Sequence, residues 1–190
     1  MTTPTTTLID GVELPAPGTF VLDPSHTTLG FVARHLMVTK VRGRFEDYTG
    51  SITIGETLED THAEATVQTS SVSTGSADRD THLKSGDFFG VEDNPVMTFR
   101  TVRILKHSGN DFRVLTELTV NGITREVEFD VEYDGIAIDP WGGERIGLSA
   151  TAEIDREDFG MTWNVAMETG GVLVSKKVKI EIEAQAVRQA

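Results

Sequence analysis

Residues 112–133 read FRVLTELTVNGITREVEFDVEY, and the fold is decided there. Phe112, Val114, Thr116, Leu118 and Val120 recur at every second position up to Asn121-Gly122. Beyond it Val127, Phe129, Val131 and Tyr133 alternate with Glu126, Glu128, Asp130 and Glu132. Period two places one row on a buried face and the other in water. A two-residue turn of type I′ needs positive φ at both central residues, which Asn and Gly tolerate best, and its twist matches the flanking strands. The stretch therefore predicts an antiparallel hairpin with its acidic row solvated.

The same period extends both ways. Toward the C-terminus, Asp139-Pro140-Trp141-Gly142-Gly143 forms a loop, and Ile146, Leu148, Ala150, Ala152 and Ile154 resume the alternation. Arg156 to Trp163 breaks it, and a last strand sets Val178, Ile180, Ile182 and Ala184 against Lys177, Lys179, Glu181 and Glu183. That charged outer row discourages further strand pairing. Toward the N-terminus come Val96 to Leu105, where bulk favours Met97 and Phe99 inward over the opposite parity, and His62 to Val72, where Ala63, Ala65, Val67 and Thr69 share a side. Earlier runs are Ser51 to Ile54, Val41 to Phe45 through Gly43, Leu29 to Leu36, and Phe20 to Leu22. A Gly between inward positions suits the bend or close backbone approach that barrel closure requires. About eight strands result, so the fold class is all-β, a single antiparallel up-and-down β-barrel.

The longest departure lies within Ser70 to Thr101. Asp78 to Phe89 scatters Leu83 and Phe88 among charges, which reads as a short helical lid starting at Ser76 or Asp78, capped by a side-chain oxygen and ended by Gly86. Asn94-Pro95 stops any helix before the next strand. Asp78, Arg79 and Asp80 read either as a buried ion-pair cluster that fixes the lid or as a solvated helix start.

RDTHLKSGDFF (79–89) followed by NPVMTFRT (94–101) resembles the central signature of the YceI family of polyisoprenoid-binding proteins. The resemblance continues through Leu22-Asp23-Pro24-Ser25-His26, Phe31-Val32-Ala33-Arg34-His35, Val41-Arg42-Gly43-Arg44-Phe45, Leu118-Thr119-Val120-Asn121-Gly122 and Ile154-Asp155-Arg156-Glu157-Asp158-Phe159-Gly160. It implies an elongated barrel of lipocalin type holding a long isoprenoid chain, a polyprenyl lipid or an isoprenoid quinone. It implies no catalytic residues. It also tilts Asp78, Arg79 and Asp80 toward the buried cluster.

A chain of 190 residues supports one core, assigned to a barrel domain over 19–187. Residues 1–18, rich in Thr, Pro and Gly, offer little apolar area and read as a mobile arm. A net charge of -13 disfavours nucleic acid and anionic membrane surfaces. With no Cys there is neither a disulfide framework nor thiolate chemistry. The first twenty residues contain no Lys or Arg and no continuous apolar run, so a cytoplasmic location is expected, with membrane contact at most peripheral. Whether two barrels pair as a homodimer stays open.

His26, His35, His62, His82 and His107 show no paired spacing, and exposed or hydrogen-bonded side chains are the simpler reading than metal ligands. His35 and His82 sit within the family-like motifs and could place a polar group at a cavity mouth. The side chains expected to line a cavity are Phe31, Phe45, Ala65, Leu83, Phe88, Phe89, Met97, Phe99, Leu118, Phe129, Ala150, Met161 and Trp163. Rows mixing large aromatics with Ala63, Ala65, Ala150 and Ala152 would fill unevenly, and an apolar void suits a hydrocarbon. No cofactor beyond that ligand is expected. Two rivals remain: an enzyme of the same shape using His35, Asp80 or His82 as acid or base, and a structural or stress-response module with a filled core.

Overall fold

The computed structural model describes residues 3–190. Its elements are β1 (Thr6–Ile9), β2 (Val12–Pro15), β3 (Gly18–Leu22), β4 (Thr28–His35), β5 (Thr39–Phe45), β6 (Tyr48–Ile54), β7 (His62–Gln68), β8 (Val72–Ser73), α1 (Ala77–Lys84), β9 (Val96–Ser108), β10 (Asp111–Val120), β11 (Ile123–Ile138), β12 (Glu144–Asp155) and β13 (Lys177–Arg188). Eight strands close a ring in the order β3, β6, β7, β9, β10, β11, β12, β13, every pairing antiparallel, with β13 returning to β3. This is the expected up-and-down barrel. The pair β4–β5 lies outside that sequence: β13 pairs with β3 through residues 186–188 and with β4 through residues 179–183. One edge of β13 thus carries two strands, one near each end of the barrel.

The predicted hairpin is present, with Val120 opposite Ile123 and positive φ at both Asn121 and Gly122. Glu126, Glu128, Asp130 and Glu132 are exposed, while Val127 and Phe129 are buried. In β9 simple alternation fails. Val102 and Leu105 are skipped in the pairing with β10, so Met97 and Phe99 face inward as expected and Ile104 then takes over the inner row. Each bulge inserts one unpaired residue and reverses the parity beyond it. Gly43 serves the close approach expected of it: a Cβ there would stand 2.3 Å from the Phe31 ring.

The N-terminal segment differs from expectation. Met1 and Thr2 of the expected arm lie outside the described residues, but β1 and β2 form a hairpin rather than a mobile arm. Ile9, Val12 and Leu14 are buried against Phe20, Ile52, Ile54, Leu58 and Ile146, at the end where β6 and β13 finish and β12 begins. The hairpin closes this end. Leu58 N donates to Asp10 Oδ2 at 3.0 Å, Thr5 N donates to Glu144 Oε1 at 3.0 Å, and Arg188 donates to the Ala16 carbonyl at 2.8 Å. Burial of three aliphatic side chains, each contributing about 1.5–3 kcal/mol, offsets the ordering cost that a Thr- and Pro-rich composition suggested would dominate.

The opposite end gathers α1, the Phe88-Phe89 pair, the Asn121-Gly122 turn, a single 3₁₀ turn at Arg156–Phe159, the segment after it, and the β4–β5 turn. Helix α1 begins after Ser76, but that side chain makes no capping bond. Asp80 Oδ1 instead accepts from the Thr74 N–H at 2.8 Å and hydroxyl at 2.6 Å.

Candidate functional site: an apolar barrel cavity

A cavity of about 350 Å³ runs along the barrel interior. That lies in the lower part of the usual range for ligand sites. Its walls are almost wholly apolar. At the hairpin end Leu14, Ile52, Ile54, Leu58 and Ile146 face it, and at the lid end Leu83, Phe88, Phe89 and Met161 do. The packing explains why the interior does not collapse. Phe45 meets Phe89 edge-on at 5.5 Å, and Phe99 meets Phe129 edge-on at the same distance. The Phe99 ring stands beside small Ala65 on the neighbouring strand, and Ala150 stands beside Val131, so large side chains alternate with small ones along the wall. An interior with such walls is dry and receives hydrocarbon more readily than water.

Of the side chains expected to line a cavity, Phe31, Phe45, Ala65, Leu83, Phe88, Phe89, Met97, Phe99, Leu118, Phe129, Ala150 and Met161 do so. Trp163, His35 and His82 do not border it. Trp163 stands behind Phe88, with ring centroids 5.5 Å apart, and is half-buried. His82 packs edge-on against Trp163 at 4.5 Å and bonds Asp87 through Nε2 at 2.8 Å, so it supports the lid. His35 is exposed at the end of β4, bridged to Val174 by backbone.

The ion-pair cluster expected near the start of α1 takes another form. Arg79 is exposed and donates to the Thr74 hydroxyl at 2.7 Å and carbonyl at 3.0 Å, with no carboxylate partner among the described residues. The buried guanidinium is that of Arg156, 2% exposed and bordering the cavity at the lid end. Asp155, capping the 3₁₀ turn through Glu157 N at 3.0 Å, turns the chain inward just where the alternation of β12 stops. The Arg156 side chain then donates from Nε to the Ser175 carbonyl at 2.9 Å and from Nη1 to the Met161 carbonyl at 2.5 Å. Burial pushes this guanidinium below its ordinary pKa, against the opposing pull of Glu157 and Asp155. The break in period two was the available signal for Arg156; nothing in it announced burial. The aliphatic row at the hairpin end was missed because choosing by bulk favours aromatics.

His35, Asp80 and His82 are not hydrogen-bonded to one another: the Asp80 and His82 side chains bond Thr74 and Asp87, and His35 is exposed at the end of β4. Among the described residues no three His, Asp or Glu side chains converge as metal ligands, and no helix is long and apolar enough to cross a membrane.

The YceI-like domain model matches residues 20–186. A UPF0312 protein of Staphylococcus aureus strain N315 is 40% identical over 171 residues, covering 87% of this chain and 95% of that one. The crystal structure of the Campylobacter jejuni YceI protein is 29% identical, with a TM-score of 0.71 over 83% of this chain and 90% of that one. A polyisoprenoid binding domain from Saccharophagus degradans shares the fold, with a TM-score of 0.68 at 17% identity over 90% and 98% of the two chains. The β1–β2 hairpin precedes the matched domain, whereas the closed barrel, the lid and Arg156 fall within it. The chain belongs to the YceI-like family.

Proposed function

We propose that this barrel is a non-catalytic binding protein for an isoprenoid lipid, a polyprenyl chain or the side chain of an isoprenoid quinone, held lengthwise in its interior. The observation that carries the reading is the continuous apolar cavity, bordered by side chains from every strand of the ring and shut at one end by the hairpin. Each methylene taken from water contributes about 0.8 kcal/mol, so a long chain needs few polar contacts to bind tightly. Family membership and the fold shared with a polyisoprenoid binding domain favour binding over turnover and point to the isoprenoid class. No cofactor is called for. A filled-core module is disfavoured by the cavity itself, and an acid–base enzyme by the position of His35, Asp80 and His82, none of which borders the cavity.

The test is organic extraction of freshly purified protein with mass spectrometry, then add-back of a prenyl alcohol to the stripped protein. A ligand that binds only the folded state raises the melting temperature by mass action. Ala65→Phe and Ala150→Phe place a ring inside the cavity and are expected to abolish that rise while the barrel still melts cooperatively. Full prenyl affinity in both variants would remove these alanines from the site. Stripped wild-type protein that binds no prenyl chain would end the proposal.

A further inference from the structure

Arg156 is the only Arg or Lys among the described residues that border the cavity, and it forms no salt bridge with any of them. The neighbouring carboxylates are committed elsewhere: Asp155 accepts from the Glu157 N–H, and Glu157 pairs with Lys176 at 2.8 Å. A guanidinium carries five N–H donors. Two hydrogen bonds to backbone carbonyls are made, and Nη2 is buried with no partner at all. The Phe88 ring, 6.0 Å from the guanidinium carbon, offers some compensation for the charge but no hydrogen bond. A buried cation without its anion is costly, and Arg does not escape by losing its proton.

We infer that Arg156 anchors the polar end of the bound lipid, and that this end is an anionic oxygen acceptor of the phosphate or carboxylate class. Arg is suited to this because its planar fork meets two oxygens of one phosphate or carboxylate at once. The two carbonyl bonds fix the plane of the guanidinium, so the free N–H groups are oriented before a ligand arrives. Its position sets the direction of the ligand: end group under Phe88 and the lid, apolar tail toward Leu14 and the hairpin. The inference rests on the lipid-binding reading, yet fails separately from it, because a neutral isoprenoid alcohol would satisfy that reading and leave Arg156 unpaired.

The experiment compares ligands of one tail and three ends, farnesol, farnesyl monophosphate and farnesoic acid, by titration calorimetry against the wild-type protein, Arg156→Met and Arg156→Lys. Inorganic phosphate alone is the tail-free control. The wild type is expected to bind the two anions about tenfold or more tighter than the alcohol, the scale of one charge-assisted hydrogen bond. Arg156→Met should lose that preference, binding the anions no tighter than the alcohol, and Arg156→Lys should keep part of it. The wild-type comparison needs no variant, so it stands even if substitution at 156 harms folding. Equal affinity for alcohol and anions overturns the inference and leaves lipid binding intact. Binding of inorganic phosphate as tight as that of the prenyl phosphate overturns the assignment to a lipid end group. Failure of all three prenyl ligands ends both readings.

Discussion

The two ends of this barrel are closed by different means. At the hairpin end the closure is aliphatic: Ile9, Val12 and Leu14 are buried against residues that finish the barrel strands, and ionic bonds clasp the rim outside them. Arg145 links Asp23 at 2.5 Å to Asp139 at 2.7 Å, and Arg188 pairs with Glu144 while its guanidinium carbon lies 4.5 Å over the Phe20 ring. At the lid end the closure consists of short irregular segments whose Phe88, Phe89, Phe159 and Met161 are buried in the core, and single side chains fasten their backbone. Asn121 Nδ2 donates to the carbonyls of Phe88 at 2.8 Å and Phe159 at 3.2 Å, and Asn164 Nδ2 to that of Val174 at 2.8 Å. Segments outside regular strands, held by a few single hydrogen bonds beside their apolar contacts, are where a structure opens locally at lower cost. A floor made by an added strand hairpin thus contrasts with a mouth covered by irregular segments, and the mouth is the end expected to open.

Removing the floor should have the largest effect. Deleting residues 1–15 strips three buried aliphatic side chains from their pocket, a loss of about 5 kcal/mol or more from burial alone. The melting temperature is expected to fall by about 10 °C or more, at roughly 2–4 °C per kcal/mol for a chain of this size. The truncated protein should also accept longer prenyl chains. Unchanged stability would show that the hairpin is not part of the floor.

A milder break is aimed at the mouth. Asn121→Gly keeps the positive φ that the turn requires and deletes only the amide that holds Phe88 and Phe159. A cost of about 1–3 kcal/mol is expected for the two stranded carbonyls, with hydrogen exchange accelerated in residues 77–91 and not at the hairpin. Faster exchange spread evenly over both ends would erase the distinction between floor and mouth.

Acid should loosen the floor's clasp. Asp23 is held well below the ordinary carboxylate range by hydrogen bonds from Ser25, then from Arg145 and His26, with burial opposing. A lowered folded-state pKa stabilises the protein above the unfolded value, about 3.9, and that contribution is lost as pH falls through the folded value. The melting temperatures of wild type and Asp23→Asn should therefore differ by a constant amount above about pH 4 and converge below it. A difference that grows on acidification would contradict the sign.

The smallest effect is expected at Arg79. Being exposed and bonded only to Thr74, it should cost about 0.5 kcal/mol or less on replacement by Ala. A loss of several kcal/mol in a denaturant melt would mean that α1 is fastened more firmly than its contacts imply.

The barrel was legible because its rows are long and its turn chemistry is explicit. Val178, Ile180, Ile182 and Ala184, read as the inner row of the last strand, do face the cavity. The floor was misread although a turn signal of the same kind was present: Asp10-Gly11 lies between Ile9 and Val12, with positive φ at both positions, as at Asn121-Gly122. Its strands of four residues are too short for period two to stand out, and their order comes from tertiary burial rather than local preference. Bulges in β9 hid the change of inner row, since a skipped residue leaves no mark on an alternating sequence. Arg79 and Arg156 show the same limit. Both sit where the alternation fails, and only the path of the chain decides which guanidinium is buried.

The central claim is that one lipid chain lies along the barrel with its tail at the floor and its end group at the mouth. Isotope-filtered NMR of the protein bound to a ¹³C-labelled prenyl phosphate measures that directly. The account predicts contacts from the terminal methyl groups to Leu14 and Ile146, and from the first isoprene unit to Met161 and Phe88. Contacts in the reverse order, or confined to the outer surface, would contradict it.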